Sequence, residues 1–331
     1  MKPEPYRFNG LNLTNAQTKI DEIADKFSKH KLIEFNGCDA SNQERYDFML
    51  KIGSRLNWKV DFDVPGQVQF TYEEDHHLSV EAAQQAEKNN DNDIVVAWHL
   101  EHPYGRHPQL GALWYMDKKI CPKECGTTGF IDTRVLLQML DTDDYDFLSQ
   151  SEIAQMALYF DNENDDIETF SAIETGSNRD FITIKHPNQQ TVYPSYLRKP
   201  INPHYITGEE LLRINPKGHY TKNGYRGHDR LVRFDGRKPT DLEQQRFNSI
   251  NEWLYSNVQN NEDIAYFKHW DEGDALLVDV YSLIHCVRGG FNIGERYLKG
   301  IWGFPNVPDL PREPEQADQT ESPRSFWTDQ I

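Results

Sequence analysis

Residues 273–303 read GDALLVDVYSLIHCVRGGFNIGERYLKGIWG. Gly273-Asp274 is turn chemistry, and it feeds an apolar, β-branched run, ALLVDVY (275–281), with the composition of a buried strand. His285 stands near the far end of that strand, and Arg296 opens the next β run, RYLKGIWGF (296–304). A histidine on one strand followed by an arginine on its neighbour can complete both a metal site and an anion site. Imidazole is a common metal ligand, and the planar guanidinium fork matches a carboxylate.

Upstream, short strands dominate from residue 94. IVVAWHL (94–100), LGALWYM (110–116), GFIDT (129–133) and FITIKH (181–186) are apolar or β-branched runs broken by Gly, Pro and charge clusters. Helical patterns fall near 134–140, 150–159 and 240–258. At the N-terminal end, 14–30 places Ile20, Ile23, Ala24 and Phe27 on one helical face with Thr14 as N-cap. KLIEFNG (31–37) then reads as a strand, and about 41–56 as a second helix with Tyr46, Met49, Leu50 and Ile52 inward. Many separated β runs with helices at one end predict a mostly β fold with helical additions, a double-sheet barrel or jelly roll. Residues 1–304 form one domain in this reading, with an insertion or lid near 195–240. The segment 305–331, with Pro at 305, 308, 311, 314 and 323, reads as a loosely packed tail, and 73–93 as an exposed connection.

Composition narrows the partners. Lys plus Arg total 35 against 53 for Asp plus Glu, a formal net charge of −18. Such a field repels phosphate backbones and anionic membrane and argues against a nucleic-acid partner. Four cysteines in 331 residues are too few for a disulfide framework. CPKEC (121–125) has loose metal-clip spacing, but no second Cys/His pair follows it. There is no run of about 18 apolar residues and no apolar leader, so the expectation is a cytoplasmic protein off the membrane. No signal of oligomeric state is present.

The second half of the candidate site is Trp98-His99-Leu100-Glu101. Residues i and i+2 of a strand share a face, so imidazole and carboxylate converge. Two histidines and one carboxylate on one face of a metal form the ligand set of non-haem Fe(II) oxygenases, with positions left open for a co-substrate and O₂. Two His-x-Asp/Glu triplets occur, His99-Leu100-Glu101 and His269-Trp270-Asp271. The second precedes the 273–274 turn and reads as surface or as support behind the ligands. His76-His77 reads as a solvated cluster, His102 and His107 as loop residues flanking the site, and Trp98 and Trp114 as core aromatics. Cys286, next to His285, should point away from the metal.

Taken in order, these blocks resemble the taurine dioxygenase and clavaminate synthase-like group of 2-oxoglutarate-dependent oxygenases. The resemblance runs over roughly 15–304: the helix-strand-helix opening, WHLE, CGTTGFIDT (125–133), HPNQQTVYPS (186–195), GDALLVDVYSLIH and ERYLKGIWG. It implies that His99, Glu101 and His285 ligate Fe(II), that Arg296 binds the C5 carboxylate of 2-oxoglutarate, and that Thr128 assists it, with Thr127 as the alternative. It further implies O₂-dependent oxidation of an unactivated C–H bond in a small-molecule substrate. A carboxylate ligand argues against the halogenating relatives. One departure stands out: where related enzymes often carry a second Arg that grips a substrate anion, this chain has Gly300. Two other functions remain open on the residues alone. One is an oxygenase acting on a protein or nucleobase, and the other is a jelly roll that binds without catalysis.

Overall fold

Two sheets, antiparallel except for one parallel edge pair in the larger, face one another, and strand alternation decides which residues lie between them. The structure is a computed structural model that describes residues 2–8, 11–35, 37, 39–60, 94–101, 108–159, 171–174, 181–185, 192–216, 225–259, 261–291 and 295–306. The larger sheet runs, edge to edge, Tyr6–Arg7 (β1), Leu32–Phe35 (β2), Ala275–Val278 (β15), Gly111–Lys119 (β5), Arg296–Pro305 (β17) and Trp58–Val60 (β3). Opposite lies a four-stranded sheet of Ala265–Lys268 (β14), Thr128–Asp132 (β6), Leu283–Arg288 (β16) and Ile94–His99 (β4). A third sheet orders Tyr225–Phe234 (β13), Ser151–Tyr159 (β7), Val192–Arg198 (β10), Phe181–Lys185 (β9) and Ser171–Glu174 (β8), and Ile201–Pro203 (β11) pairs with Glu210–Leu212 (β12). The helices are Leu13–Ala16 (α1), Ile20–His30 (α2), Asn42–Leu56 (α3), Thr133–Met139 (α4), Thr142–Ser149 (α5) and Asp241–Val258 (α6).

The period of two sorts each strand into layers. From β5, Leu113 and Tyr115 join Ile23, Phe27, Phe48 and Ile52 of α2 and α3 outside the larger sheet. Ala112, Trp114 and Met116 face the other way, into a layer shared with Leu276 and Val278 of β15, Phe130 of β6 and Leu283 of β16. Beyond the smaller sheet, Ile131, Ile284 and Cys286 pack against Phe247, Ile250 and Leu254 of α6 and Ile153 of β7. Large aromatics and aliphatics fill all three layers, each fully buried side chain contributing on the order of 1.5–3 kcal/mol of transfer free energy.

Most expected elements are present, with corrections. The 14–30 pattern is two helices, and Asn12, not Thr14, caps the first by accepting from the Asn15 N–H at 2.8 Å. Thr14 lies inside that turn and gives its hydroxyl to Glu44 at 2.8 Å. The 150–159 pattern is not a helix. The helix precedes it as α5, capped by Asp141, and Ser151–Tyr159 is a strand laddered along Tyr225–Phe234. Its apolar run satisfies either period, and pairing with a distant strand decides between them. The strand expected to run from ALLVDVY to His285 is two strands: the first stops at Val278 in the larger sheet, and after a turn His285 lies on Leu283–Arg288 in the smaller one. On α3, Met49 and Ile52 face inward as expected but Leu50 is exposed, and the N-terminal strand covers Leu32–Phe35.

Lys31 and Asp132 join the helical end to the smaller sheet. Lys31 ends α2 in a left-handed conformation, and its ammonium donates to both Asp132 oxygens at 3.0 Å with each side chain buried. Asp132 also caps α4 and takes the Arg134 guanidinium. Burial alone would push its carboxyl up, but Lys31 and Arg134 outweigh that and hold it below its ordinary value. Asp132→Asn strands the Lys31 charge, and equilibrium urea unfolding should register a loss of about 3 kcal/mol. Because the folded-state pKa is depressed, this stability is present above the ordinary value of 3.8 and disappears as pH falls through the folded-state value. The gap between wild type and variant should therefore close in acid.

Candidate metal centre

β16 lies between β4 and β6, and its register sets His285 opposite His99 on one side and Phe130 on the other. The two imidazole centroids are 4.1 Å apart. His285 Nε2 comes to 3.1 Å from Glu101 Oε2. One ligand atom from each of His99, Glu101 and His285 lies within 4.8 Å of the others, and among the described residues this is the group with such geometry. Glu101 and His285 are buried and His99 is half-buried. Trp114 packs edge-on against His285, its ring 4.9 Å away, and stacks on Phe130 at 5.7 Å, so an aromatic wall closes one side.

Glu101 reaches the group by a different route from the one expected. β4 ends at His99, and Glu101 sits on a bend beyond it, so strand alternation does not aim the carboxylate. The backbone between them is held from outside: Leu100 N–H donates to Asn215 Oδ1 at 2.8 Å. Asn215 is fixed in turn, its Nδ2 donating to Asp229 Oδ1 at 2.8 Å and its backbone N–H to Asp229 Oδ2 at 2.7 Å. Burial pushes the Asp229 carboxyl up to about 7, against the hydrogen bonds given by Asn215 and Gln155. Neither Asn215 nor Asp229 was legible beforehand, since a buried amide that supports a strand end from more than a hundred residues away leaves no local pattern.

Arg296 and Thr128 meet on the neighbouring strand, where Thr128 pairs with Val287, two residues along β16 from His285. Arg296, 2% exposed, donates from Nε to the Gly126 carbonyl at 2.9 Å and from Nη2 to Thr128 Oγ1 at 3.2 Å. Gly126 has φ +63, and a Cβ there would come 2.6 Å from Arg296 Cδ, so only glycine lets the arginine lie this close. Thr128 also accepts from the Trp270 indole N–H at 2.8 Å. Thr127, the alternative, has a buried hydroxyl with no partner among the described residues. Thr128 is thus the threonine against Arg296.

The remaining candidates separate cleanly. His269 and Asp271 are exposed, and Asp271 pairs with Lys123 at 2.6 Å. Cys286 packs on the far face with Trp98 and Ile284, where burial pushes its thiol up. Lys299 turns outward to Asp117 at 2.6 Å, while Gly300 lies under Trp302 and Trp114. His76, His77, His102, His107, the 73–93 connection, residues 186–191 and the tail beyond 306 lie outside the described residues.

The family model for the taurine catabolism dioxygenase TauD, TfdA family matches residues 2–302. The chain belongs to that family. It is accordingly an oxidoreductase, an iron- and 2-oxoglutarate-dependent dioxygenase of a family that acts on small molecules. Among solved structures, AAD-2 in complex with Mn(II) and N-oxalylglycine is similar at 14% identity and TM-score 0.58, covering 93% of this chain and 96% of that one. A taurine dioxygenase from Burkholderia xenovorans matches at 12% identity and TM-score 0.58, covering 94% and 92%. PvcB from Pseudomonas aeruginosa matches at 13% and 0.52, covering 93% and 92%. At these identities the likeness speaks for the fold, mostly β with helices, as expected. No curated protein matches the chain in sequence. No helix among the described residues is long and apolar enough to cross a membrane.

The Asn215 bridge has a measurable consequence. Asn215→Leu removes the acceptor for Leu100 N–H and the side-chain donor to Asp229 while keeping the backbone one, so chemical unfolding should show a loss of about 2 kcal/mol. Calorimetric Mn(II) affinity should fall roughly tenfold, as it does when an outer support of a ligand is removed. An unchanged affinity would mean that the Asn215 contact plays no part in setting the His99–Glu101 geometry.

Proposed function

We propose that His99, Glu101 and His285 hold the catalytic Fe(II), that Arg296 and Thr128 bind the distal carboxylate of 2-oxoglutarate, and that the enzyme oxidises an unactivated C–H bond of a small organic substrate. The observation that carries this reading is the convergence of three donors from two distant segments, with a buried arginine tied to a threonine on the strand that pairs with β16. The donor set fits the metal: two imidazoles and one carboxylate suit a divalent iron and leave open coordination positions. Three ligand atoms within 4.8 Å of each other lie close enough for one ion to touch all three. Bound iron, with 2-oxoglutarate and O₂, supplies the oxidising power and leaves succinate and CO₂.

The chain's own residues bind, orient and exclude water. Arg296 offers a guanidinium already fixed by the Gly126 carbonyl, so little rotamer freedom is lost when a carboxylate docks. Trp114 and Phe130 make the wall beside His285 apolar, which strengthens electrostatic contacts in the pocket. The six- and four-stranded sheets serve as the two halves of a double-stranded β-helix within a single domain over 1–304. The described part of the 195–240 segment reaches the turn before β16, where His204 Nε2 lies 2.6 Å from Asp279 Oδ2, which supports a built-in wall at that point. Among the described residues Cys121, Cys125 and Cys286 are free and buried, which suits a reducing cytoplasm.

Anaerobic titration with Fe(II) and then 2-oxoglutarate should raise a visible charge-transfer band. His99→Ala should lower Fe(II) affinity by more than about a hundredfold. Arg296→Ala should leave iron bound and weaken 2-oxoglutarate by about thirtyfold, the loss of a charge-assisted contact. Unchanged iron affinity in the first variant would sink the ligand assignment. Iron binding without any band would sink the 2-oxoglutarate site.

A further inference from the structure

Trp270 is the buried centre of the triplet His269-Trp270-Asp271, whose outer residues are exposed. Its ring is fully buried in the layer that also holds Trp114, Phe130, Leu276 and Leu283, and its indole N–H points at Thr128 Oγ1 at 2.8 Å. A threonine hydroxyl has one proton to give and two positions at which to accept. Here both acceptor positions are taken, one by Trp270 and one by Arg296 Nη2 at 3.2 Å. The Thr128 proton has no acceptor among the described residues.

We propose that Trp270 is a positioning residue for 2-oxoglutarate: its N–H, with Arg296, saturates the Thr128 oxygen and leaves the Thr128 hydroxyl free only to donate, toward the co-substrate carboxylate. This rests on the reading that Arg296 and Thr128 receive that carboxylate. A hydroxyl with free lone pairs rotates among acceptor and donor roles, whereas one clamped by two N–H groups presents a fixed donor to an anion. Preorganisation of this kind raises affinity by removing an ordering cost at binding.

The clamp is rigid because the segment around Trp270 is tied down on both sides. Asp274 Oδ2 accepts from Lys268 Nζ at 2.7 Å and from the Asp271 N–H at 3.0 Å. Met116 N–H donates to the Asp274 carbonyl at 2.9 Å, and Gly273 N–H to the Met116 carbonyl at 2.8 Å. Lys123 reaches Asp271 from the 120–125 segment, which leads directly into Gly126, the carbonyl anchor of Arg296. Trp270, Thr128 and Arg296 therefore share one scaffold.

The test is calorimetric 2-oxoglutarate affinity of the Mn(II)-loaded protein, with Mn(II) affinity measured alongside. Trp270→Phe should raise the Kd for 2-oxoglutarate about three- to tenfold and change Mn(II) affinity less than about twofold. In a Thr128→Val background the same substitution should have no further effect, and in Thr128→Ser the effect should return. Benzothienylalanine in place of Trp270 keeps the shape and removes only the N–H, and it carries the measurement if the phenylalanine variant does not fold. Equal weakening with and without the Thr128 hydroxyl would assign Trp270 a packing role and overturn the proposal. So would an unchanged Kd in a protein where Arg296→Ala weakens binding. If Arg296→Ala and Thr128→Val both leave 2-oxoglutarate binding intact, the underlying site reading fails instead.

Discussion

The pairing of β16 between β4 and β6 is the constraint on which the site depends. It sets His285 across from His99, and the alternation of β16 keeps Ile284 and Cys286 on the opposite face with α6. A slip of one residue would exchange the two faces, placing a thiol at the donor group and an imidazole in an aliphatic layer. The register is protected by close packing. A Cβ on Gly129, paired with Cys286, would lie 2.7 Å from Cys286 Sγ, Phe267 and Trp98 alike. Glycine there lets the two strands and the indole fit in one layer, and that fit leaves a shifted β16 nowhere to go.

The late segments of the chain then complete what the two sheets begin. Asp279 takes the Ser282 N–H at 3.1 Å and His204 at 2.6 Å, which fixes the turn that launches β16. Thr207 N–H approaches His204 Nδ1 at 3.2 Å, so that nitrogen accepts while Nε2 donates to Asp279. Arg213 stacks over Tyr281 at 3.7 Å and donates to its carbonyl, and two residues on Asn215 supports Leu100. One stretch, 204–215, thereby steadies both the strand that carries His285 and the bend that carries Glu101. Buried polar contacts hold most firmly where partnered, as at His204, Asp279 and Asn215, whereas Arg213 Nη2 and Ser282 Oγ are buried without a partner among the described residues.

How far the sequence could be read follows from which interactions are local. The turn at Gly273-Asp274, the strand up to His99 and the helical periods around 20–30, 42–56 and 241–258 lie within a few residues, and they were legible. That His285 belongs to a separate strand in the facing sheet was not, because the Asp279 turn that divides the apolar run is fixed by His204, far from it in sequence. The Ser151–Tyr159 strand was not, because SEIAQMALY suits either period and only its ladder with β13 decides. The same holds for Glu101, which leaves the strand yet reaches the donor group through an asparagine far along the chain. Trp270 was hidden differently: the eye goes to the histidine and aspartate flanking it, and these turn out to be solvent-facing.

Gly300 shows how a missing side chain is itself a packing requirement. A Cβ at that position would stand 2.8 and 2.9 Å from two ring atoms of Trp302 and 3.2 Å from Trp114. Trp302 is buried, so its indole has little room to retreat, and an arginine at 300 would have to displace it from the layer beside His285. The arginine by which related enzymes often hold a substrate anion is therefore incompatible with this arrangement of tryptophans, not merely absent. On that face of β17 the buried Trp302 indole fills the space instead, its N–H unpaired among the described residues.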